Sequence, residues 1–230
     1  MLNWLLSFQK KIELPMAGAG RVVVVTGASR GVGYAIGREL ATRMPGAAVY
    51  LTTRQANLAA LDTNLRRDIG VAADNARFRF MDLKDRRSIH KFVDIVKRRH
   101  NRLDILVNNA GIYHKPPASL NEADKTMHMR EVEEIVKTNW IGLNLVTEAF
   151  LPVLAPNSRI INMTSHLSDL RTLDTTDTSG AIRAQLTSAE LTVAGLDKLL
   201  RSYVESIKVC LNRKNGLLVF DSLSIALDKF

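Results

Sequence analysis

The stretch from Arg21 to Leu40, RVVVVTGASRGVGYAIGREL, restricts the possible folds more than any other part of this chain. Four consecutive valines, Val22 to Val25, make an apolar run of strand length, and β-branched residues at every position suit a strand buried on both faces of a parallel sheet. Gly27, Gly31 and Gly33 follow and lead into a segment whose apolar residues Val32, Ala35, Ile36 and Leu40 recur at helical spacing. The local order is therefore strand, glycine-rich turn, helix. Such a turn can cradle a phosphate, because glycines let the backbone approach an anion closely while the helix start offers unpaired N–H groups and a partial positive charge. The spacing is Gly-x-x-x-Gly-x-Gly and not the dinucleotide fingerprint Gly-x-Gly-x-x-Gly, so taken alone the turn reads equally as a tight strand-to-helix connection.

At 230 residues, 46% of them hydrophobic, the chain can bury one sizeable core, and alternating strands and helices give a single α/β domain. Its single cysteine, Cys210, excludes a disulfide framework within the chain and fits a reducing compartment, here the cytoplasm. The formal net charge is +9. Arg66-Arg67, Arg86-Arg87 and Lys97-Arg98-Arg99 lack interleaved aromatics, and most lie opposite apolar stripes, so solvated helix faces are a better reading than a nucleic-acid surface. A basic field still favours a polyanionic cofactor. No metal site is expected.

Residues 1–20 stand apart as an N-terminal extension. Leu2 to Phe8 is apolar but too short to span a bilayer, and no basic n-region or small-residue cleavage site makes it a signal peptide. A loose extension is the favoured reading, an interfacial helix bearing Trp4, Leu5 and Phe8 the lesser one, and Met16 offers an alternative start. No membrane partner is expected.

Ala47 to Thr53 reads as a second strand, with Arg54 immediately after it. A carboxylate at this place would suit the ribose hydroxyls of NAD, whereas a cation suits a 2′-phosphate. Arg30, inside the glycine turn, is a second candidate cation; each alone is an ordinary surface arginine, but two guanidiniums converging on one phosphate favour NADPH. Further along, the spacing predicts a helix over Asn57 to Asp68, a strand over Arg77 to Asp82, a helix over Ser88 to His100 and a strand over Leu103 to Val107. Val132 to Leu154 reads as helix, with Asn139 in its apolar stripe, either a core amide bonded to nearby backbone or part of a site. A fifth strand, Arg159 to Met163, ends in Thr164-Ser165. That hydroxyl is either a turn cap or a ligand-binding group at a carboxyl edge, and no elbow motif or base makes it a serine hydrolase nucleophile.

These pieces together resemble the short-chain dehydrogenase/reductase family, and within it the monomeric carbonyl reductases. The resemblance is carried by Thr26-Gly27-Ala28-Ser29-Arg30-Gly31-Val32-Gly33, the Arg54 position, Asp82-Leu83, Asn108-Asn109-Ala110-Gly111, Lys137-Thr138-Asn139 and Asn162-Met163-Thr164-Ser165, and runs from about Arg21 to about Gly216. It implies a three-layer, Rossmann-type doubly wound parallel sheet over residues 21–230 and an NADPH cofactor. The cofactor set it implies is Gly27, Ser29, Arg30, Gly31, Val32, Gly33, Arg54, Asp82, Leu83, Asn109, Ala110 and Gly111, with Asp82 and Leu83 at the adenine. Asn139 would belong to the catalytic relay and Ser165 would bond the carbonyl of a small-molecule substrate. Residues 166–215 resemble the insertion that those reductases carry before their catalytic tyrosine. Within it Thr187 and Glu190 read as a capping box, followed by a long helix with Leu196, Leu199, Leu200, Tyr203, Val204 and Ile207 as its stripe. In the family this insertion covers the surface used for oligomerisation, which implies a monomer.

One part of the family pattern is missing. Its chemistry uses Tyr-x-x-x-Lys, and none of the four tyrosines of this chain has lysine four residues on: Tyr34 and Tyr50 are followed by arginine there, Tyr113 by Pro117, and Tyr203 finds Lys208 only at the fifth position. A spacing of five points about 140° away around a helix, so Tyr203 is read as a packing residue. The tail from Leu217 to Phe230 looks like a replacement for the family's last strands and helices, which is read as a truncated or alternatively spliced form with an unpaired edge on strand five. Two function classes follow, an NADPH-dependent carbonyl reductase and a catalytically silent variant that binds cofactor or a partner.

Overall fold

The computed structural model describes residues 20–114, 122–165 and 177–212. They fall into two compact units, one within Met1–Phe80, Ile95–Val107 and Val153–Ile160, the other within Met81–Asp94, Asn108–Pro152 and Ile161–Phe230. The N-terminal extension and the divergent tail lie outside the described residues.

The first unit is built on the sheet. Strands β1 (Val22–Val25), β2 (Ala48–Thr53), β3 (Ala76–Phe80), β4 (Leu103–Asn108) and β5 (Leu154–Asn162) stand in the order β3-β2-β1-β4-β5. β1 runs parallel to both β2 and β4, and β2 parallel to β3. The order reverses at β1, so the glycine turn leaves the sheet at the switch point where ligands of open α/β sheets bind. All four valines of β1 are fully buried, as an apolar run with no polar alternation requires. Helices α1 (Gly31–Arg43) and α2 (Leu58–Ile69) connect these strands, Asn57 capping α2 by accepting from the Ala60 N–H at 3.1 Å.

Most boundaries agree with the sequence patterns, and each departure has a local cause. β3 stops at Phe80 and not at Asp82, because the Asp82 N–H leaves the ladder to donate to Ser88 Oγ at 2.8 Å. Helix α3 (Arg86–His100) begins two residues before Ser88, since the Asp85 carboxylate accepts from the Arg87 N–H at 2.9 Å and caps the first turn. The basic residues of α3, Lys97, Arg98 and Arg99, are exposed.

The single helix expected over 132–154 is a composite. α4 (Glu122–Ile135) passes into a π-helical turn (Val136–Gly142), then α5 (Leu143–Phe150) and a short 3₁₀ turn (Leu151–Val153). β5 then starts at Leu154, five residues before the expected strand. Pro152 ends the helix by denying it a donor, and Pro156 is tolerated in β5, which among the described residues lies at the edge of the sheet. Among the described residues β5 has a neighbour on one side only, and Ile160 and Ile161 are 39% and 41% exposed.

In the second unit, Phe92 of α3 meets Phe150 of α5 edge to face, ring centres 6.0 Å apart. Helices α6 (Asp177–Leu186) and α7 (Val193–Asn212) follow. Tyr203 and Val204 of α7 pack with Met129 against the buried Val132 of α4, which agrees with a packing role for Tyr203. The expected Thr187/Glu190 capping box does not form. The Thr187 hydroxyl instead donates back to the Arg183 carbonyl at 2.9 Å and closes α6, while Thr192 caps α7 by accepting from the Gly195 N–H at 3.1 Å. Helix α7 therefore begins after a longer connection than Thr187 would give. No helix among the described residues is long and apolar enough to cross a membrane.

Candidate active site

In the first unit, Gly27 and Gly31 hold φ angles of 62° and 60°, the left-handed region open to glycine without strain. A Cβ on Gly31 would meet nothing within 4 Å, so conformation and not crowding selects glycine there, and the space above it is open. The turn is tied to both neighbouring strands: the Thr26 N–H donates to the Val107 carbonyl at 3.0 Å, and the Ala28 N–H to the Thr52 carbonyl at 2.8 Å. Arg30 stands at the N-cap of α1 in extended conformation and makes no side-chain capping bond. The first-turn N–H groups of α1 therefore have no side-chain acceptor from the N-cap, and Arg30, Gly31 and Val32 are exposed while Ser29 is half-buried and Gly33 buried. Arg54 is exposed one residue past β2. An uncapped helix start with an open glycine before it and a guanidinium at its N-cap suits a phosphate.

In the second unit, Asp82 and Leu83 form the turn after β3. The Asp82 carboxylate accepts from the Lys84 N–H at 3.0 Å, and Ser88 Oγ donates to the Asp82 carbonyl at 3.0 Å, which fixes both backbone groups of Asp82 to one side chain. Leu83 is buried under Gly142, where a Cβ would come within 2.8 Å of both Leu83 Cβ and the Leu83 carbonyl oxygen. The π turn can approach Leu83 this closely only through a glycine.

β4 ends in Asn108, whose side-chain amide donates to Asn162 Oδ1 at 2.9 Å and to Thr147 Oγ1 at 3.1 Å; its carbonyl accepts from the Met163 N–H at 2.9 Å. One buried asparagine thus aligns the carboxyl end of β4, which leads into Asn109, Ala110 and Gly111, with that of β5, which leads to the half-buried Ser165. Asn139, buried in the π turn, accepts from the Ile112 N–H and donates to the Ile112 carbonyl, both at 2.9 Å. Its amide is bonded to backbone, and the partner is the segment directly after Gly111. Sequence reasoning missed Ile112, Gly142 and Thr147 as parts of this arrangement; only the Asn-Asn-Ala-Gly run signalled it.

The same segment is held again at His114, whose Nδ1 lies 3.3 Å from Glu131 Oε1 of α4, while the buried His128 places Nδ1 3.8 Å from Glu131 Oε2. Burial pushes the His128 pKa below its ordinary 6.5 despite the nearby Glu131 carboxylate. In the first unit, His100, bonded to the Tyr50 hydroxyl at 2.8 Å, is likewise lowered by burial and by Arg99. A histidine whose folded pKa is depressed binds its proton more readily when unfolded, so its contribution to stability is complete above pH 6.5 and is lost as pH falls through the depressed value. The melting temperature is therefore expected to fall between pH 7.5 and pH 5.5, and calorimetry of His128→Gln should show a shallower dependence than the parent chain. An unchanged slope would contradict the burial of a neutral His128. Among the described residues, no group of three or more His, Cys, Asp or Glu is placed to hold a metal ion.

A family model described as short chain dehydrogenase matches residues 21–175. The chain belongs to the short chain dehydrogenase family. Carbonyl reductase (NADPH) 1 of Bos taurus is 31% identical over 201 residues, covering 87% of this chain and 68% of the bovine protein. The Homo sapiens protein of the same name gives the same identity and coverage. Among solved structures, menthone neomenthol reductase from Mentha piperita superposes with a TM-score of 0.73 at 26% identity, covering 90% of this chain and 81% of that one. Salutaridine reductase from Papaver somniferum also gives 0.73, at 23% identity over 90% of this chain and 78% of its own, a likeness of fold alone. The α/β sheet is the Rossmann-type architecture that the family resemblance implied.

Proposed function

We propose that the chain binds NADPH as a carbonyl reductase-like protein acting on ketones, aldehydes or quinones. The observation that carries this reading is the uncapped start of α1, open above Gly31 and flanked by the exposed Arg30. Gly27, Ser29, Arg30, Gly31, Val32 and Gly33 would hold the pyrophosphate and, with Arg54, the 2′-phosphate; Asp82 and Leu83 would hold the adenine. Asn109, Ala110 and Gly111 would line the cofactor, with Asn139 fixing the backbone that follows them. The bound nicotinamide would supply a hydride. Ser165 would donate a hydrogen bond to the substrate carbonyl and increase the positive character of its carbon. The names of the carbonyl reductase relatives support NADPH as the nucleotide and a carbonyl as the substrate. A monomer fits this reading, with α7 laying Tyr203 and Val204 over the Val132 side of α4, and a cytoplasmic location is the one that the single cysteine of the chain suits.

A second reading is that this polypeptide binds its cofactor without turning it over. It rests on the absence of Tyr-x-x-x-Lys from all 230 residues.

Nucleotide preference tests the proposal under either reading. Two guanidiniums bonding a 2′-phosphate should favour NADPH over NADH by about 1.5 to 3 kcal/mol. Fluorescence titration of both nucleotides measures the difference, and Arg30→Ala and Arg54→Ala should each reduce it. Equal affinities, or a preference for NADH, would overturn the assignment.

A further inference from the structure

The π turn (Val136–Gly142) is gripped from three directions within the second unit. Asn139 takes both backbone groups of Ile112 in the segment after β4, and Gly142 lies against Leu83 in the turn after β3. From the third side Trp140 Nε1 donates to Asp197 Oδ1 of α7 at 2.5 Å, across 57 residues of chain. The first two grips fall on, or directly after, the runs proposed to line the nucleotide. The third comes from α7, which carries none of those residues. Val136, Trp140 and Ile141 share one groove with Val193, Asp197 and Leu200 of α7, and both Ile141 and Val193 are exposed there. Apolar contact along an open groove is not directional, whereas the indole N–H can only donate and finds a charged acceptor in Asp197.

A π turn closes its hydrogen bonds over one more residue than the α-helix on either side of it. The alternative is an α-helical register, in which residues on one side of the turn rotate by up to about 100° relative to those on the other. With α4 held at Val132 by Tyr203 and Val204, a rotation of that size carries both Asn139 and Trp140 away from their partners. The two contacts therefore belong to the same register, and whatever stabilises one stabilises the other. We propose that Asp197 is a positioning residue: by accepting from Trp140 it holds the π register that presents Asn139 to Ile112, and so orders the nucleotide-lining segment from α7. The link to nucleotide binding rests on the proposed function; the link from Asp197 through the π turn to Ile112 does not.

Hydrogen exchange of the nucleotide-free chain, read by mass spectrometry on peptides covering residues 109–114, tests this. In Asp197→Ala, and in Trp140→Phe, which keeps a ring in the groove but removes the donor, exchange there should quicken by about two- to thirty-fold, the span of couplings carried through packed networks. Residues 88–94 of α3 should keep the parent rate. The double variant should be no faster than either single one, because both remove the same bond. Asp197→Asn, which keeps an acceptor oxygen, should retain most of the protection. Acceleration confined to α7, or equal acceleration in residues 88–94, overturns the proposal by showing that the bond only docks a helix or stabilises the whole unit. Additive single effects, or an Asp197→Asn chain as fast as Asp197→Ala, overturn it as well. NADPH titration reads the other half: affinity should fall in Asp197→Ala and return in Asp197→Asn, and an affinity unchanged by Asp197→Ala overturns the link to the nucleotide. If NADPH fails to bind the parent chain while exchange behaves as expected, the nucleotide reading falls and the positioning role of Asp197 stands.

Discussion

Purified as its 230 residues, the chain is expected to oxidise NADPH in the presence of quinones or activated ketones at rates near background. A positioned general acid contributes typically about 10² to 10⁴-fold, and groups that act as a unit are lost together and not in proportion. In the carbonyl reductases that the chain resembles, that unit is a tyrosine that protonates the carbonyl oxygen and a lysine that lowers its pKa; neither stands at the required spacing anywhere in this sequence. Tyr203 does not substitute, because it packs with Val204 against Val132. Tyr34 is engaged with Asp68 at 2.6 Å, and burial together with that carboxylate raises its pKa to about 12, which makes it a poor proton donor near neutrality. Ser165 and Asn139 would remain, able to bond a carbonyl and hold a backbone but not to deliver a proton from a tuned donor. Replacing the segment after Gly216 with the Tyr-x-x-x-Lys helix and following strands of a relative should raise the rate by at least about 10²-fold, and Ser165→Ala in that chimera should remove the gain. Robust turnover by the unmodified chain, dependent on Ser165, would refute the silent reading and demand a different proton donor.

Phe150→Ala should lower stability by about 3 to 5 kcal/mol, the range for truncating an enclosed aromatic side chain. Phe150 is fully buried and meets the equally enclosed Phe92 edge to face, so its removal leaves a void bounded by a ring that has lost its partner. For a chain of this length that corresponds to a fall of roughly 6 to 20 °C in melting temperature. Leu151→Ala, the adjacent residue at 53% exposure, should stay within about 0.5 kcal/mol of the parent. Thermal melts followed by circular dichroism compare the two. A Phe150→Ala chain that melts within 2 or 3 °C of the parent would show that α5 is not packed on α3 as described.

Where the sequence pattern was strong, it carried over to the structure. The Val22–Val25 run became the fully buried β1, and the glycine turn led into α1 at Gly31. Asn57 marked the start of α2, and the stripe of α7 turned Tyr203 and Val204 inward. Weaker signals misplaced boundaries. Thr187 and Glu190 have the spacing of a capping box, yet the Thr187 hydroxyl is spent on the end of the preceding helix and Thr192 does the capping. The stripe through Val132 and Val136 ran on without a visible break into a π turn, because an extra residue in a turn changes rotation by less than the tolerance of an apolar pattern.

By itself the sequence determined the order of the five strands, the place of the glycine turn between β1 and α1 and the absence of the Tyr-x-x-x-Lys pair. All three follow from residue types within a few positions of one another, where sterics and the period of burial act directly. Only the tertiary structure decided which polar groups meet. Asn139 finds Ile112 across 27 residues and Asn108 finds Asn162 across 54, while Glu131 takes His114 at one oxygen and faces His128 with the other. A buried amide or carboxylate must satisfy its hydrogen bonds or lose about 1 to 3 kcal/mol, but that requirement names no partner. The partner is set by which elements the sheet order and the π turn bring side by side within each unit, and no local pattern of residues records that.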